Sequence, residues 1–319
     1  MAEEMNQGQM QIKVRQISGL GNQLFQYAAG RYFSRRYGAP LILAIDQSGS
    51  ISHGFPRPFL LSKFHIRAEI CNYTRMDRYR VQPPRYSADL FARLNGLQGI
   101  QVYREPFHRR YGFVPDISID KNVRSLHLVG YWQSYRFAAS IAEELRSELA
   151  FSEPPEGKNL EILKEIHETP DSVSLHLRRG DYTRAAEGNI ALSLDYYARA
   201  VQLFRRTLTS PTYFVFSDDM EFARKNLVLD GKARFIDHND SFSAHEDLRL
   251  MSACQNHIIA NSTFSWWGAW LNPSNRKIVY APKYWLLSED SYFEDLFPPE
   301  WMLDDNLTRR EIRHRDGNP

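Results

Sequence analysis

The sequence predicts an α/β protein built as two successive halves, each a parallel, doubly wound sheet. Three observations predict it. The chain opens as strand, loop, helix, strand; its second half alternates short apolar runs with helically spaced segments; and three of those later runs end directly on polar clusters. Parallel sheets bind ligands at the carboxyl ends of their strands, so such endings carry functional weight.

Residues 12–17 alternate apolar and polar, as a half-buried strand does. Ser18-Gly19-Leu20-Gly21-Asn22-Gln23 follows, and then Leu24, Phe25, Tyr27, Ala28, Ala29, Tyr32 and Phe33 recur at helical spacing up to Gly38. Residues 41–45 form a second apolar strand that ends at Asp46. Residues 47–115 are rich in Pro, Arg and Tyr with weak periodicity, and they read as loops and short helices. A strand over 126–130 runs into Tyr131-Trp132-Gln133, with a helix to about Leu149. Phe151–Gly157 has linker composition, which divides the chain into domains 1–157 and 158–319. The second domain reads as a short helix (159–168), then strands at 172–177, 212–216, 233–236, 257–260 and 278–280. Helices are expected at about 194–208, 219–227 and 246–252, and one beginning near Ser265.

Composition narrows the function. A chain of 319 residues exceeds the usual size of a single core. Lys and Arg number 40 against 38 Asp and Glu, a balance unlike that of a general nucleic-acid binder. An anionic ligand must therefore meet a local cluster of cations. Cys71 and Cys254 are the only cysteines, so neither a disulfide framework nor a cysteine zinc site is expected. No run approaches the roughly 18 apolar residues of a membrane span, and residues 1–11 lack a signal-peptide core. The phosphate-loop, zinc-protease and serine-elbow patterns are also missing.

Four segments carry the candidate chemistry. His176-Leu-Arg-Arg-Gly-Asp-Tyr182 places two guanidinium groups, a glycine for a turn and a carboxylate after a strand. Guanidinium forks match phosphate oxygens and keep their charge. Gly19 to Asn22 sits between strand and helix, where a helix start attracts an anion, although the third glycine of the dinucleotide fingerprint is missing. Asn261-Ser262-Thr263-Phe264-Ser265 combines an amide and three hydroxyls at a helix start, an anion site or a set of caps. Ser217-Asp218-Asp219 ends a strand, with Asp219 read as a helix cap. Asp247 reads as either a cap or a base-recognising carboxylate.

Together these segments resemble family 11 glycosyltransferases, the α-1,2-fucosyltransferases. Ser18-Gly-Leu-Gly-Asn-Gln-Leu-Phe-Gln-Tyr27 is similar to the family's N-terminal motif, with Ser18 where a glycine usually stands. His176–Tyr182, Phe216–Asp219 and Ala260–Leu271 resemble the remaining motifs, in family order. The resemblance implies a GT-B fold, two Rossmann-like domains facing across a cleft, with GDP-β-L-fucose on the C-terminal domain and a β-galactoside acceptor on the N-terminal one. It implies inversion, no metal and no cofactor. The charge balance argues against a nucleic-acid partner. Unlike the family's animal members, which carry a membrane anchor, this sequence shows no apolar span, so a soluble bacterial member is expected. The expected location is cytoplasmic, at most peripheral at the inner membrane.

By the same resemblance, Arg178 meets the β-phosphate and Arg179 supports it or reaches Asp181. Ser262, Thr263, Phe264 and Ser265 hold the diphosphate, Asp218 and Asn261 belong to the donor site, and His176 and Asp247 recognise the nucleoside. Gly19, Leu20, Gly21 and Asn22 close over the donor, Asn22 counting with the catalytic group. Asp181 or Asp46 is the base, unless an oxocarbenium-like path needs none, and Tyr131, Trp132 and Gln133 hold the acceptor. The competing reading is another nucleotide-sugar transferase of the same fold with a different donor.

Overall fold

A computed structural model of the chain describes residues 9–47, 51–52, 55–83, 88–106, 112–180, 191–286 and 293–305. The chain divides into two compact units, Met1–Ser152 with Glu294–Leu296, and Glu153–Phe293 with Phe297–Pro319. The division falls five residues before the sequence-based boundary. The return of Glu294–Leu296 to the first unit rests on Asp295, whose carboxylate pairs with Arg136 at 2.6 Å and accepts from the Phe113 amide at 2.9 Å.

The first unit runs β1 (Gln11–Gln16), α1 (Leu20–Tyr37), β2 (Leu41–Ile45), a hairpin of β3 (Ile51–Ser52) and β4 (Phe55–Pro56), and β5 (Glu69–Asn72). It continues with α2 (Arg75–Val81), α3 (Ala88–Leu97), β6 (Ile100–Arg104), β7 (Ser125–Val129), α4 (Tyr135–Ser140) and α5 (Ala142–Glu148). Its five-stranded sheet has the order β5-β2-β1-β7-β6, every pairing parallel. Chain order reverses between β1 and β7, so the loops after these two strands share one sheet edge. On one face Ile12 and Val14 are fully buried, as are Leu24, Phe25, Ala28, Ala29 and Phe33 of α1. At roughly 25 cal/mol per Å² of apolar surface, such burial holds the helix far more firmly than its intrinsic propensity.

Two expectations for this unit need correction. Residues 47–115 contain β5 and β6, the two edges of the sheet, as well as loops and short helices. The helix expected to reach Leu149 is two helices, broken at Ile141, where φ is −134° and ψ 34°.

The second unit runs α6 (Gly157–His167), β8 (Ser172–Leu177), α7 (Leu194–Thr207), β9 (Thr212–Ser217), α8 (Met220–Asn226) and β10 (Lys232–Ile236). Then come α9 (Ala244–Ala253), β11 (Asn256–Ile258), α10 (Thr263–Leu271), β12 (Val279–Pro282) and β13 (Met302–Asp304). Its sheet has the order β10-β9-β8-β11-β12-β13, again parallel throughout. Every residue of β8 is buried, as a central strand covered on both faces requires. Val173, Leu175 and Leu177 pack with Tyr196, Ala200 and Phe204 of α7. Phe214, Phe216 and Ile236 pack with Ile162 and Ile166 of α6 and Leu250 and Met251 of α9. Here chain order reverses between β8 and β11.

Candidate active site

The reversal between β8 and β11 brings together the loop that begins Arg178-Arg179-Gly180 and the loop Ile259–Ser262 that leads into α10. Because β9 lies on the other side of β8, Asp218 and Asp219 join them at the same edge. Arg178 and Arg179 follow each other at the end of an extended strand, so their side chains diverge. Arg178 Nε lies 3.1 Å from Asp218 Oδ2, and Arg179 Nε lies 3.3 Å from Asp219 Oδ2. The Arg179 guanidinium also sits 3.7 Å from the centre of the Phe222 ring, a cation–π contact. Its own amide donates to Asp218 Oδ1 at 2.8 Å. Asp218 thus orients the arginine loop rather than standing open to a ligand. Gly180 is required beside it: a Cβ there would lie 2.9 Å from Asp218 Oδ2. Asp219 caps α8 as expected, accepting from the Phe222 amide at 3.1 Å.

The start of α10 is built by its own hydroxyls. Ser262 is the N-cap and accepts from the Phe264 amide, while Ser265 Oγ accepts from the Ala260 amide at 3.2 Å. Asn261 Nδ2 donates to the Trp285 carbonyl at 3.0 Å. Thr263 and Phe264 are partly exposed at this helix start, which carries the partial positive charge of nine aligned peptide units. The Phe264 ring meets His176 edge to face at 6.0 Å. His176 is buried, and burial, followed by the charge of Arg178, holds its pKa down to about 4. Trp266 and Trp267 are fully buried behind the helix, so this pair belongs to the core.

Asp247 on α9 is partly buried, and its carboxyl is pushed up to about 7, chiefly by desolvation. Asn239 donates to it at 2.7 Å, and Asn239 and His238 both reach Asn159, at 3.0 and 2.8 Å. The segment Asp237–Asp240 after β10 was not singled out in the sequence. A polar run closing a strand was the signal for it. Asp181 lies outside the described residues.

In the first unit the loops after β1 and β7 meet through amides. Gln133 Nε2 donates to Asn22 Oδ1 at 2.7 Å, and Asn22 Nδ2 donates to Ser18 Oγ at 2.9 Å. Gln26 accepts from the Ile17 amide at 3.0 Å and donates to the Gly130 carbonyl at 3.3 Å, tying the two strand ends. Gln23 donates to the carbonyls of Ser18 and Pro58 and accepts from the Leu60 amide. Helix α1 begins at Leu20, so Leu20, Gly21 and Asn22 form its first turn rather than a loop before it. Gly19 has an ordinary φ of −74°. The left-handed residue is Ser18, at φ +69°, where the family motif carries glycine.

Two further assignments change. Trp132 is fully buried against Phe33, Tyr103 and Phe137, so it is core and not an acceptor platform. Tyr131 and Gln133 remain beside it, Tyr131 partly exposed. The Asp46 side chain is 1% exposed. Arg15 donates to Oδ2 from Nε and Nη2 at 3.0 and 2.6 Å, and Arg78 reaches Oδ1 at 3.2 Å. Both of its oxygens are engaged by guanidinium groups, which suits a structural carboxylate and not a base.

Residues 110–304 match the glycosyl transferase family 11 profile. The chain belongs to that family. It is 31% identical over 289 residues to the O-antigen biosynthesis glycosyltransferase WbnK of Escherichia coli, covering 84% of this chain and 92% of that protein. It is 28% identical over 311 residues to an alpha-1,2-colitosyltransferase of Escherichia coli, covering 91% and 98%. Among solved structures, the fucosyltransferase NodZ from Bradyrhizobium superposes with a TM-score of 0.51 at 13% identity, covering 83% of this chain and 94% of that one. This likeness establishes the GT-B class for the two parallel-sheet units. Among the described residues no helix is long and apolar enough to cross a membrane.

Proposed function

We propose that this family 11 enzyme transfers L-fucose from GDP-β-L-fucose to the 2-hydroxyl of a terminal β-galactoside, with inversion to an α-1,2 linkage and without a metal. The observation that carries this reading is Arg178 at the end of β8, beside the hydroxyl-capped start of α10, at the reversal of strand order.

As the C1–O bond breaks, negative charge gathers on the β-phosphate of the leaving GDP. Arg178, oriented by Asp218, and the amides and hydroxyls of Ser262 to Ser265 neutralise that charge. Groups fixed in advance are effective here because they need no reorganisation as the charge develops. Asn261 braces this loop against Trp285. Arg179 holds the loop to α8 through Asp219 and Phe222. His176 stays neutral, as a contact to an uncharged nucleoside requires. Asp247 in its ionised form accepts from a nucleobase N–H. At the acceptor end, the amide relay from Gln133 through Asn22 to Ser18 fixes the edge that Tyr131 overlooks. The galactose 2-hydroxyl loses its proton to Asp181, or later to solvent on a path with oxocarbenium character. The β-phosphate takes the electron pair of the broken bond.

A second reading is favoured by the 28% identity to an alpha-1,2-colitosyltransferase. Colitose is fucose without its 3-hydroxyl. A site that hydrogen-bonds that hydroxyl would reject the deoxy donor by about 10⁴-fold or more, whereas an apolar pocket would discriminate only weakly. The deciding assay incubates the full chain with lactose and, in turn, GDP-fucose, GDP-colitose, GDP-mannose and UDP-galactose. Release of the nucleoside diphosphate, GDP or UDP according to the donor, and the NMR linkage of the product are then measured. An α-1,2-fucosyl product is expected. GDP-colitose as the only competent donor would replace the first reading with the second. Competence of UDP-galactose alone would remove both.

A further inference from the structure

The turn that joins β7 to α4 is held by a carboxylate from the neighbouring strand end. Glu105 follows β6, and its Oε2 accepts from the Tyr131 amide at 2.7 Å while Oε1 accepts from the Trp132 amide at 2.9 Å. Two successive N–H groups aimed at one anion form a nest, and here the anion is a side chain of the same chain. The approach depends on Gly130, where a Cβ would lie 2.5 Å from Glu105 Cβ and 2.6 Å from Oε2. Trp132 has φ +58°, a left-handed conformation that is sterically costly for a residue with a side chain. The clamp and the burial of the indole offset that cost. The next residue, Gln133, carries the amide that donates to Asn22 at 2.7 Å.

We infer that Glu105 is a positioning residue for the acceptor end. Its carboxylate locks the Gly130–Gln133 turn in the one conformation that joins Gln133 to Asn22 and presents Tyr131 at the sheet edge. The inference rests on the proposed function for the identity of the acceptor, though the clamp itself does not.

Removing the clamp lets the turn populate other conformations. The apparent affinity for acceptor then falls in proportion to the competent fraction, while the donor end is untouched. The full chain and its Glu105→Ala and Glu105→Gln variants are compared by amide hydrogen exchange and by steady-state transfer from GDP-fucose to lactose. Glu105→Ala is expected to lose exchange protection at Tyr131 and Trp132 and to raise the KM for lactose by about tenfold, with the KM for GDP-fucose within twofold. Glu105→Gln keeps one accepting oxygen and is expected to fall between Glu105→Ala and wild type. Unchanged protection in Glu105→Ala would overturn the clamp. Lost protection with an unchanged lactose KM would reduce Glu105 to a structural residue and overturn the positioning role. A wild-type chain that transfers fucose to neither lactose nor N-acetyllactosamine would instead overturn the proposed function, and the exchange result would still judge the clamp.

Discussion

The two reversals of strand order, between β1 and β7 and between β8 and β11, share a topology and differ in their chemistry. At the first, the side-chain ties are neutral amides, Gln133 to Asn22, Asn22 to Ser18, and Gln26 to both strand ends, and the Glu105 carboxylate is engaged by two backbone amides. At the second they are two arginines, two aspartates and a hydroxyl-capped helix start. Under the proposed function, the same architecture serves a neutral acceptor sugar at one edge and a diphosphate at the other. The loops decide which, because the sheet supplies position and the side chains supply charge. The comparison also separates two kinds of fragility. The loop after β1 is cross-tied several times over by Gln23 and Gln26, so single losses there should be absorbed, whereas the loop after β7 depends on Glu105. The charged edge concentrates its effect in few groups.

The sharpest way to break this contrast is Arg178→Ala. Removing a charge-assisted donor to a developing oxyanion costs roughly 3–4 kcal/mol, or 10²–10³ in rate. The kcat/KM for GDP-fucose should fall by that factor with circular dichroism unchanged. Arg178→Lys should recover only part, since an ammonium group lacks the planar fork. A fall of less than tenfold in Arg178→Ala would remove the charged edge from the chemistry.

The second contrast lies within the charged edge and turns on pH. Burial raises the Asp247 carboxyl from 3.8 to about 7. Between those values the folded protein holds a proton that the unfolded chain has released, so stability falls as pH rises across that window. Nucleotide binding runs the other way. The carboxylate must be ionised to accept from the base, so GDP affinity should rise by up to about tenfold per pH unit until it levels off above 7. Calorimetry of GDP binding from pH 5.5 to 8.5 reads this, and Asp247→Asn should flatten both trends. A flat wild-type profile would take Asp247 out of base recognition.

The charged edge was largely legible in the sequence, and physics explains why. Strands buried on both faces read as short apolar runs, and each ends on its polar cluster, so Arg178, Asp219 and Ser262 could be placed from order alone. The first unit was less legible. Glu69–Asn72 is an edge strand whose residues are mostly exposed, so it carries no periodic signal. In α3 the pattern is inverted: Leu90, Leu94 and Leu97 are exposed while Asn95 is buried. Asp46 resembled a strand-end base because its partners Arg15 and Arg78 lie 31 and 32 residues away. Trp132 resembled a sugar platform because sequence does not reveal which aromatic of a pair turns inward. Glu105 gave no signal at all, since a carboxylate that binds two backbone amides depends on strand pairing and not on a motif.

A smaller effect is expected where the charged edge is braced rather than reactive. Asp219→Ala removes the cap of α8 and the carboxylate beside Arg179. Loss of an N-cap costs about 1 kcal/mol, which a urea midpoint will register. Arg179 keeps its stacking on Phe222, so kcat/KM should drop less than tenfold. A loss as large as that of Arg178→Ala would mean that Arg179 is itself at the phosphate.

The smallest effect tests the redundancy of the first edge at the loop after β1. Ser18 occupies φ +69°, where glycine is relieved of the steric cost an L-residue bears, of order 1 kcal/mol. Ser18→Gly recovers that cost but frees the unfolded chain, which works against stability by about 0.4–1 kcal/mol. It also removes the hydroxyl that accepts from Asn22 Nδ2, a bond with a net value of about 1 kcal/mol. These terms sum to a net loss of about 0.4–1 kcal/mol, so the thermal midpoint should fall by only a degree or two. Asn22 keeps its bond from Gln133, and Gln23 and Gln26 still tie the loop. Transfer to lactose should therefore stay within threefold of wild type. A tenfold loss in a variant that is still fully folded would show that the Ser18 hydroxyl acts on substrate directly, and this edge would then be as concentrated as the charged one.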